Sequence, residues 1–232
     1  MARHLTLRLA DREGEAMDHN VIEELPLAQR LALAYAPASA RLPTLALLAF
    51  DAQLGAIVRK ASEPILGQIR IAWWRDQLDL PAEERPRGNR VLAMLEAFAG
   101  EEEALRAVAD GWEVLLREEL DEAAIREHCR GRTGGLQVLA RHLGCEDRDV
   151  ELAGNRWALA DLAANIGDAK ERDRVLAIGK ELPARKAVLP RGLRPLAVLA
   201  GLSGRSLSRG GAPLLSGPAS VLAAIRLGLT GR

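Results

Sequence analysis

Cysteine is scarce in this chain, and long apolar runs are missing from it. Its 232 residues include two cysteines, Cys129 and Cys145, which cannot form a disulfide framework, so we expect both to be reduced and buried. No apolar run approaches the roughly 20 residues that a membrane-spanning helix needs. The charged N-terminus also lacks the continuous apolar region of a secretory signal. We therefore expect a cytoplasmic protein, with any membrane contact peripheral and at the inner face of the membrane.

Aromatic residues are few as well, at 3% of the chain, and no segment shows the alternating pattern of a β-strand. Ala and Leu supply much of the 48% apolar fraction, and 28% of the residues are charged, a mixture that favours helices. The sequence thus predicts an all-α protein built as a single helical bundle. We expect one domain over residues 1–232, with residues 1–25 as a loose N-terminus and residues 180–232 as basic C-terminal helices.

The chain has no net charge, because 32 basic residues balance 32 acidic ones, but the charges are unevenly distributed. From Arg174 to the C-terminus there are ten Lys or Arg residues and a single acid, Glu181, which gives this part a charge of about +9. Such a region can attract phosphates or an anionic membrane surface, although the excess of Arg can also reflect genomic base composition. The four tryptophans fall on predicted helices within apolar patterns, which indicates core packing and no nucleic-acid partner.

Proline, glycine and capping residues divide the chain into helices. The patterns predict helices over residues 27–35, 43–60, 64–80 and 89–99, one containing residues 105–116, and one over residues 121–143. The longest helix is expected from residue 146 to about residue 178, followed by two short helices near residues 195–208 and 218–229. Glycines 131, 134 and 135 weaken the sixth helix and are typical of a close approach by a neighbour.

Asp51 is the first candidate site residue, because it interrupts an apolar helical face formed by Leu47, Leu48, Leu54 and Val58. A buried carboxylate needs a partner. That partner could be a metal ion or a substrate. The more ordinary explanation is a hydrogen bond to a helix terminus or an ion pair with an arginine.

A second candidate lies further along the chain, where Asp161, Asn165, Asp168 and Arg172 follow at spacings of four, three and four. On one continuous helix these residues form a single stripe. Mg²⁺ prefers oxygen ligands and often bridges carboxylates to substrate phosphates, so Asp161 and Asp168 are candidate Mg²⁺ ligands. A solvated face with local ion pairs explains the same pattern.

Two adjacent segments, residues 49–59 and 62–75, resemble the start of the squalene/phytoene synthase family. The resemblance extends to the first helix at residues 31–37, to Cys129 with Gly134, and to the Val-Leu-Pro sequence at residues 188–190, and it covers roughly residues 27–190. It implies an isoprenoid-synthase fold. Active members join two prenyl diphosphates head to head, using Mg²⁺ held by two aspartate-rich motifs.

The chain differs from that family in both aspartate-rich motifs. Gly55, Ala56 and Arg59 stand where the first motif carries aspartates, and Asp168 comes one residue early in the second. The order Ala49-Phe50, Ser62-Glu63, Gly67 and Trp73-Trp74 is similar to a branch of complex I assembly factors, which implies a degenerate, non-catalytic member.

Two functions follow from this resemblance. The first is a non-catalytic protein that binds an apolar lipid, a membrane surface or a protein partner, with respiratory complex assembly as one such role. The alternative is an active Mg²⁺-dependent prenyltransferase of isoprenoid, carotenoid or hopanoid biosynthesis, acting on prenyl diphosphates. Asp51, Asp161 and Asp168 would then be its catalytic candidates.

Overall fold

The computed structural model describes residues 19–86, 88–145 and 148–231, and helices account for most of this length, with no strand among the described residues. Residues 19–24 are helical, and the helices that follow are α1 (Leu27–Leu33), α2 (Ala38–Lys60), α3 (Pro64–Asp79), α4 (Arg90–Leu95), α5 (Glu102–Glu113), α6 (Glu122–His142), α7 (Asp149–Asn165), α8 (Ala169–Glu181), α9 (Arg194–Leu207) and α10 (Pro218–Thr230). The all-α prediction is confirmed. Most of the predicted loose N-terminus, residues 1–18, lies outside the described residues.

Capping residues set the starts of two helices at the predicted positions. Asn89 accepts a hydrogen bond from the Leu92 amide at 3.1 Å, and Asp121 accepts one from the Ala124 amide at 2.8 Å, so each side chain satisfies a free amide of a first turn. Pro64 occupies the first turn of α3, where its missing N–H costs no intrahelical bond.

Two predicted helix boundaries were wrong. Pro43 does not open α2, which begins at Ala38 and includes the proline in its second turn. A proline there removes one backbone hydrogen bond, and the burial of Leu45, Leu47 and Leu48 just beyond it compensates for that loss. The long helix predicted over residues 146–178 is instead two helices, α7 and α8, because the chain turns at residues 166–168.

Helix α2 is the centre of the bundle and contacts α1, α3, α4, α5 and α6. Of the described helices, it is the one long and apolar enough to cross a membrane, but 61% of its most apolar window is buried inside the protein, as in a core helix. Phe50 and Leu54, both fully buried, fix it within the main core. A second apolar cluster joins α6, α7 and α8 through Ile125, Leu159 and Val175.

The C-terminal region packs onto this bundle. Helix α9 lies against α7 and α1, and α10 lies against α9. Gly201 of α9 lies close to the side chain of Leu227 on α10, since a Cβ built at Gly201 would stand 2.4 Å from Leu227 Cδ1. The glycine therefore allows the two C-terminal helices to approach closely.

Candidate functional site

The crossing of α5 and α6 organises the centre of the protein. A Cβ built at Gly131 would lie 2.3 Å from the Ala107 carbonyl oxygen and 3.0 Å from the Gly111 Cα, so the two backbones touch. At the same crossing the buried His128 ring donates from Nδ1 to the Gly111 carbonyl, over 2.8 Å. The prediction that glycines of this helix mark a close approach is correct at Gly131. This contact brings the next residue, Arg132, into the interior.

Arg132 joins two of the predicted site residues. Its Nε and Nη2 donate to the two carboxylate oxygens of Asp51 over 2.8 and 2.7 Å, and its Nη1 donates to Asp161 Oδ2 over 3.0 Å. The side chains of Arg132 and Asp51 are 1% and 5% exposed, whereas that of Asp161 is 21% exposed. Helices α2, α6 and α7 are thus tied by one guanidinium, and the arginine partner considered for Asp51 is present.

Two tryptophans complete this cluster. The Arg132 Cζ lies 4.2 Å from the centre of the Trp157 ring and 4.8 Å from that of Trp112, distances typical of cation–π contacts. Trp112 Nε1 also donates to Asp51 Oδ1 over 2.9 Å. We call Asp51, Trp112, Arg132, Trp157 and Asp161 the central arginine cluster.

The electrostatics of the cluster follow from its burial. Burial alone disfavours the charged guanidinium, but Asp51 and Asp161 outweigh this effect and raise the pKa of Arg132 above its ordinary value. Burial, with the negative charge of Asp51, raises the pKa of Asp161, although Arg132 and Arg59 act in the opposite direction. Burial, together with the charge of Arg132, lowers the pKa of His128 to about 3. The cluster therefore keeps Arg132 charged and His128 neutral.

Gly55, where the related enzymes carry an aspartate, borders the same cluster. A Cβ built at Gly55 would stand 2.9 Å from the Trp112 ring and 2.9 Å from Arg59 Nη1. The space that a side chain at this position needs is therefore filled by the indole of Trp112 and the guanidinium of Arg59. A side chain at this position would therefore meet Trp112 and Arg59.

Asp168 lies apart from this cluster, because the predicted stripe is interrupted by the turn between α7 and α8. Its carboxylate caps α8 by accepting from the Glu171 amide over 2.9 Å, and this backbone hydrogen bond lowers its pKa. Arg172 donates to the carbonyls of Ala163 and Ile166 at the end of α7. The interpretation of one continuous stripe was wrong: Asp168 and Arg172 serve the two helix ends, and of the stripe only Asp161 contacts Arg132.

Sequence reasoning missed Arg132, although a signal was present. On α6 it follows His128 by four residues and Cys129 by three, and it precedes Leu136 by four, which places a charged residue in the middle of a buried helical face. The same argument had singled out Asp51 on α2. The two charges could have been proposed as a pair.

The helical architecture of the described residues is an all-α bundle of the isoprenoid-synthase type. The squalene/phytoene synthase family model matches residues 29–191, which is well over half of the sequence. The chain belongs to the squalene/phytoene synthase family. No curated protein and no solved structure gives a significant match.

Proposed function

We propose that this family member binds its ligands or partners without turning over prenyl diphosphates. The observation that carries this proposal is the placement of the Arg132 guanidinium between Asp51 and Asp161. In the related enzymes, departure of diphosphate depends on positive charge supplied by Mg²⁺. In this chain the position between the two carboxylates is occupied by an arginine, which forms an ion pair with the buried Asp51 and also pairs with the half-buried Asp161.

The donor set in this cluster does not fit Mg²⁺. Asp51 accepts two hydrogen bonds from Arg132 and one from Trp112, which occupy both of its oxygens, and one oxygen of Asp161 also accepts from Arg132. Asp168 caps a helix. Within residues 19–86, 88–145 and 148–231, no group of three or more His, Cys, Asp or Glu side chains suits a metal ion. A divalent ion that bridges Asp51 and Asp161 would have to displace the buried guanidinium of Arg132, and removing one partner of a buried ion pair is costly.

A diphosphate-release assay tests this proposal. The purified protein is incubated with Mg²⁺ and farnesyl or geranylgeranyl diphosphate, and we expect no release above the protein-free blank. An active synthase serves as the positive control for the assay, and circular dichroism in the same buffer shows that the chain is folded. Release that disappears in Asp161→Asn or in Asp168→Asn would overturn the proposal in favour of an active prenyltransferase.

For the mode of binding, we propose a peripheral contact with an anionic membrane through α10. Its outward face exposes Val221, Leu222, Ile225 and Leu229, whose spacing places them on one side of the helix. Leu222 and Leu229 are 67% and 71% exposed. The sequence from Arg174 onward carries ten basic residues and one acid, which complements anionic headgroups.

Vesicle flotation tests the membrane contact. We expect association with phosphatidylserine-containing vesicles, weaker association with pure phosphatidylcholine, and a loss of binding at high salt. The double variant Leu222→Gln/Leu229→Gln should lower the partition coefficient about thirtyfold, since each leucine contributes on the order of 1 kcal/mol when buried. Leu42→Gln, which removes a leucine 56% exposed on α2, is the matched control.

Indifference to lipid charge and to the α10 variant would contradict the membrane contact. Such a result would favour a protein partner instead. The role in respiratory complex assembly, which the assembly-factor branch implies, is one form of such binding. Co-purification of complex I subunits that is lost in the α10 double variant would support it.

A further inference from the structure

A cavity whose lining contains no member of the central arginine cluster lies between α8, α9, α10 and the segment 182–188. Its volume is about 950 Å³, within the range of small-molecule sites. Apolar residues from all three helices and from the segment line it, and they include Leu176, Leu182, Val188, Ala200, Leu207 and Leu227. Asp51, Arg132 and Asp161 do not line it. We call it the C-terminal cavity.

The charged residues that line this cavity are all basic. They are Arg156, Lys180, Lys186, Arg205 and Arg226, and none of the described lining residues is acidic. Two acids adjoin the lining, and both have cationic partners: Asp149 forms an ion pair with Arg185 at 2.6 Å, and Glu181 forms one with Arg126 at 2.7 Å. The cavity thus combines apolar walls with positive charge that its own lining does not neutralise.

Arg205, one of these cations, has a buried N–H group, at Nε, without a hydrogen-bond acceptor among the described residues. A buried donor without an acceptor costs on the order of 1–3 kcal/mol, so an acceptor supplied by a ligand would be favoured. Lys180 and Arg226, on the adjoining helices, form no ion pair within the described part of the chain.

Arg156 differs from the other lining cations, because it is hydrogen-bonded to the segment 182–188. Its Nη2 donates to the carbonyls of Pro183 and Arg185, while the Val188 amide donates to Asp149 Oδ2 over 2.7 Å. These bonds fix the segment 182–188 against α7. Burial and the nearby charge of Arg185 lower the pKa of Arg156, consistent with an electropositive surrounding.

We propose that the C-terminal cavity binds a single-chain amphipathic anion, with an aliphatic chain along its apolar walls and a phosphate or carboxylate head at Arg205. The lining supplies the chemistry for both parts. Apolar side chains from several elements would contact the aliphatic chain, and Arg205, whose Nε has no acceptor among the described residues, would bind the head together with the neighbouring cations. This inference rests on the proposed role of the protein in binding, but it uses none of the residues around Arg132.

Dodecyl phosphate is a suitable probe, titrated as a monomer into the full chain by isothermal calorimetry without vesicles. We expect saturable binding of one molecule per chain. Dodecyl maltoside, which has the same chain and a neutral head, and inorganic phosphate, which has no chain, should each bind at least tenfold more weakly. Tight binding of inorganic phosphate alone would instead indicate a simple anion site and overturn the proposal.

Two variants test the residues. Arg205→Gln should weaken the binding of dodecyl phosphate about tenfold, because it removes a charged donor to the head. Arg209→Gln removes the same charge four residues further on, from an exposed residue that does not line the cavity, and should change the affinity less than twofold. Equal losses in the two variants, or many molecules bound per chain, would show non-specific adsorption and contradict the inference.

Gly204 offers an independent test of the chain-binding part. It lines the cavity, lies within α9, and a Cβ built there meets no atom within 4 Å. Gly204→Phe should therefore fill the cavity without disturbing the fold and abolish binding, whereas Gly204→Ala should keep it. Unchanged binding by a folded Gly204→Phe variant would refute the proposal.

The outcomes separate this inference from the proposed function. Leu222→Gln/Leu229→Gln should keep its affinity for dodecyl phosphate, since these residues face away from the cavity lining. Diphosphate release would overturn the non-catalytic proposal and leave the calorimetric result unaffected.

Discussion

Removing the guanidinium of Arg132 is the most direct perturbation of this protein's interior. Arg132→Met keeps much of the apolar stem but leaves Asp51, 3% exposed, without its two charged hydrogen bonds. Breaking a buried ion pair from one side costs about 3–5 kcal/mol, because the remaining charge stays desolvated and unpaired. The stability of a whole domain is about 5–15 kcal/mol, so this loss is a large fraction of the total.

Urea unfolding measures this effect, and the fluorescence of Trp112 and Trp157 reports on the site because both rings flank the guanidinium. With a slope of about 3 kcal/mol per molar urea, the expected shift of the midpoint is about 1–1.7 M. Far-UV circular dichroism should give the same midpoint if the unfolding is two-state.

Arg141→Met is the matched control, since Arg141 donates two hydrogen bonds to Glu101 on the surface, where its side chain is 40% exposed. Exposed pairs contribute about 1 kcal/mol or less. The double variant Asp51→Asn/Arg132→Met should cost about 2 kcal/mol less than the sum of its single variants, because the two residues form one network. Equal losses in Arg132→Met and Arg141→Met would refute the reasoning.

Three further predictions concern titration and packing. The pKa of His128 is about 3 in the fold and near 6.5 when unfolded, so stability should fall as the pH drops from 6.5 towards 3, by up to about 1.4 kcal/mol per unit. This dependence, measured by urea unfolding across that range, should be weaker in His128→Asn, which keeps a donor for the Gly111 carbonyl. A hydrogen bond from Arg185, with one from the Val188 amide, lowers the pKa of Asp149 to about 2. The ionised carboxylate therefore contributes to the stability of the fold above pH 4, and this contribution is lost as the pH falls through 2. Asp149→Asn should thus lower the melting temperature at pH 6 but have little effect near pH 2. Gly131→Ala should destabilise the fold by about 1–3 kcal/mol, because the added Cβ would meet the backbone of α5. Gly134 has open space around it, so Gly134→Ala should stabilise α6 by up to about 1 kcal/mol in the same denaturation assay. Similar effects at the two positions would contradict the close crossing.

The central arginine cluster and the exposed α10 face have different positions in this protein. The cluster links α2, α6 and α7 through charge. Such a cluster stabilises only as a complete network. It therefore gives the bundle a fixed centre, while the C-terminal cavity and the outer face of α10 are proposed to carry the binding.

Periodicity, prolines and capping residues were sufficient to predict the all-α class and most helix positions, because these signals act within a few residues of the chain. Asn89 and Asp121 lie at the starts of the helices predicted over residues 89–99 and 121–143, and each caps its helix. The family pattern over residues 49–75 was also readable, since it depends only on residue order. Of the four tryptophans, Trp74, Trp112 and Trp157 are buried as expected, and Trp73 remains 38% exposed.

The tertiary structure decided which charges meet. Arg132 lies 81 residues from Asp51 and 29 from Asp161, and no local pattern links such distant positions. The turn at residues 166–168, which separates Asp161 from Asp168, depends on the packing of α8 against α6 and α7 and on capping by Arg172. The sequence by itself determined that Asp51 needs a partner in an apolar interior. Only the packing of three helices decided that this partner is a guanidinium.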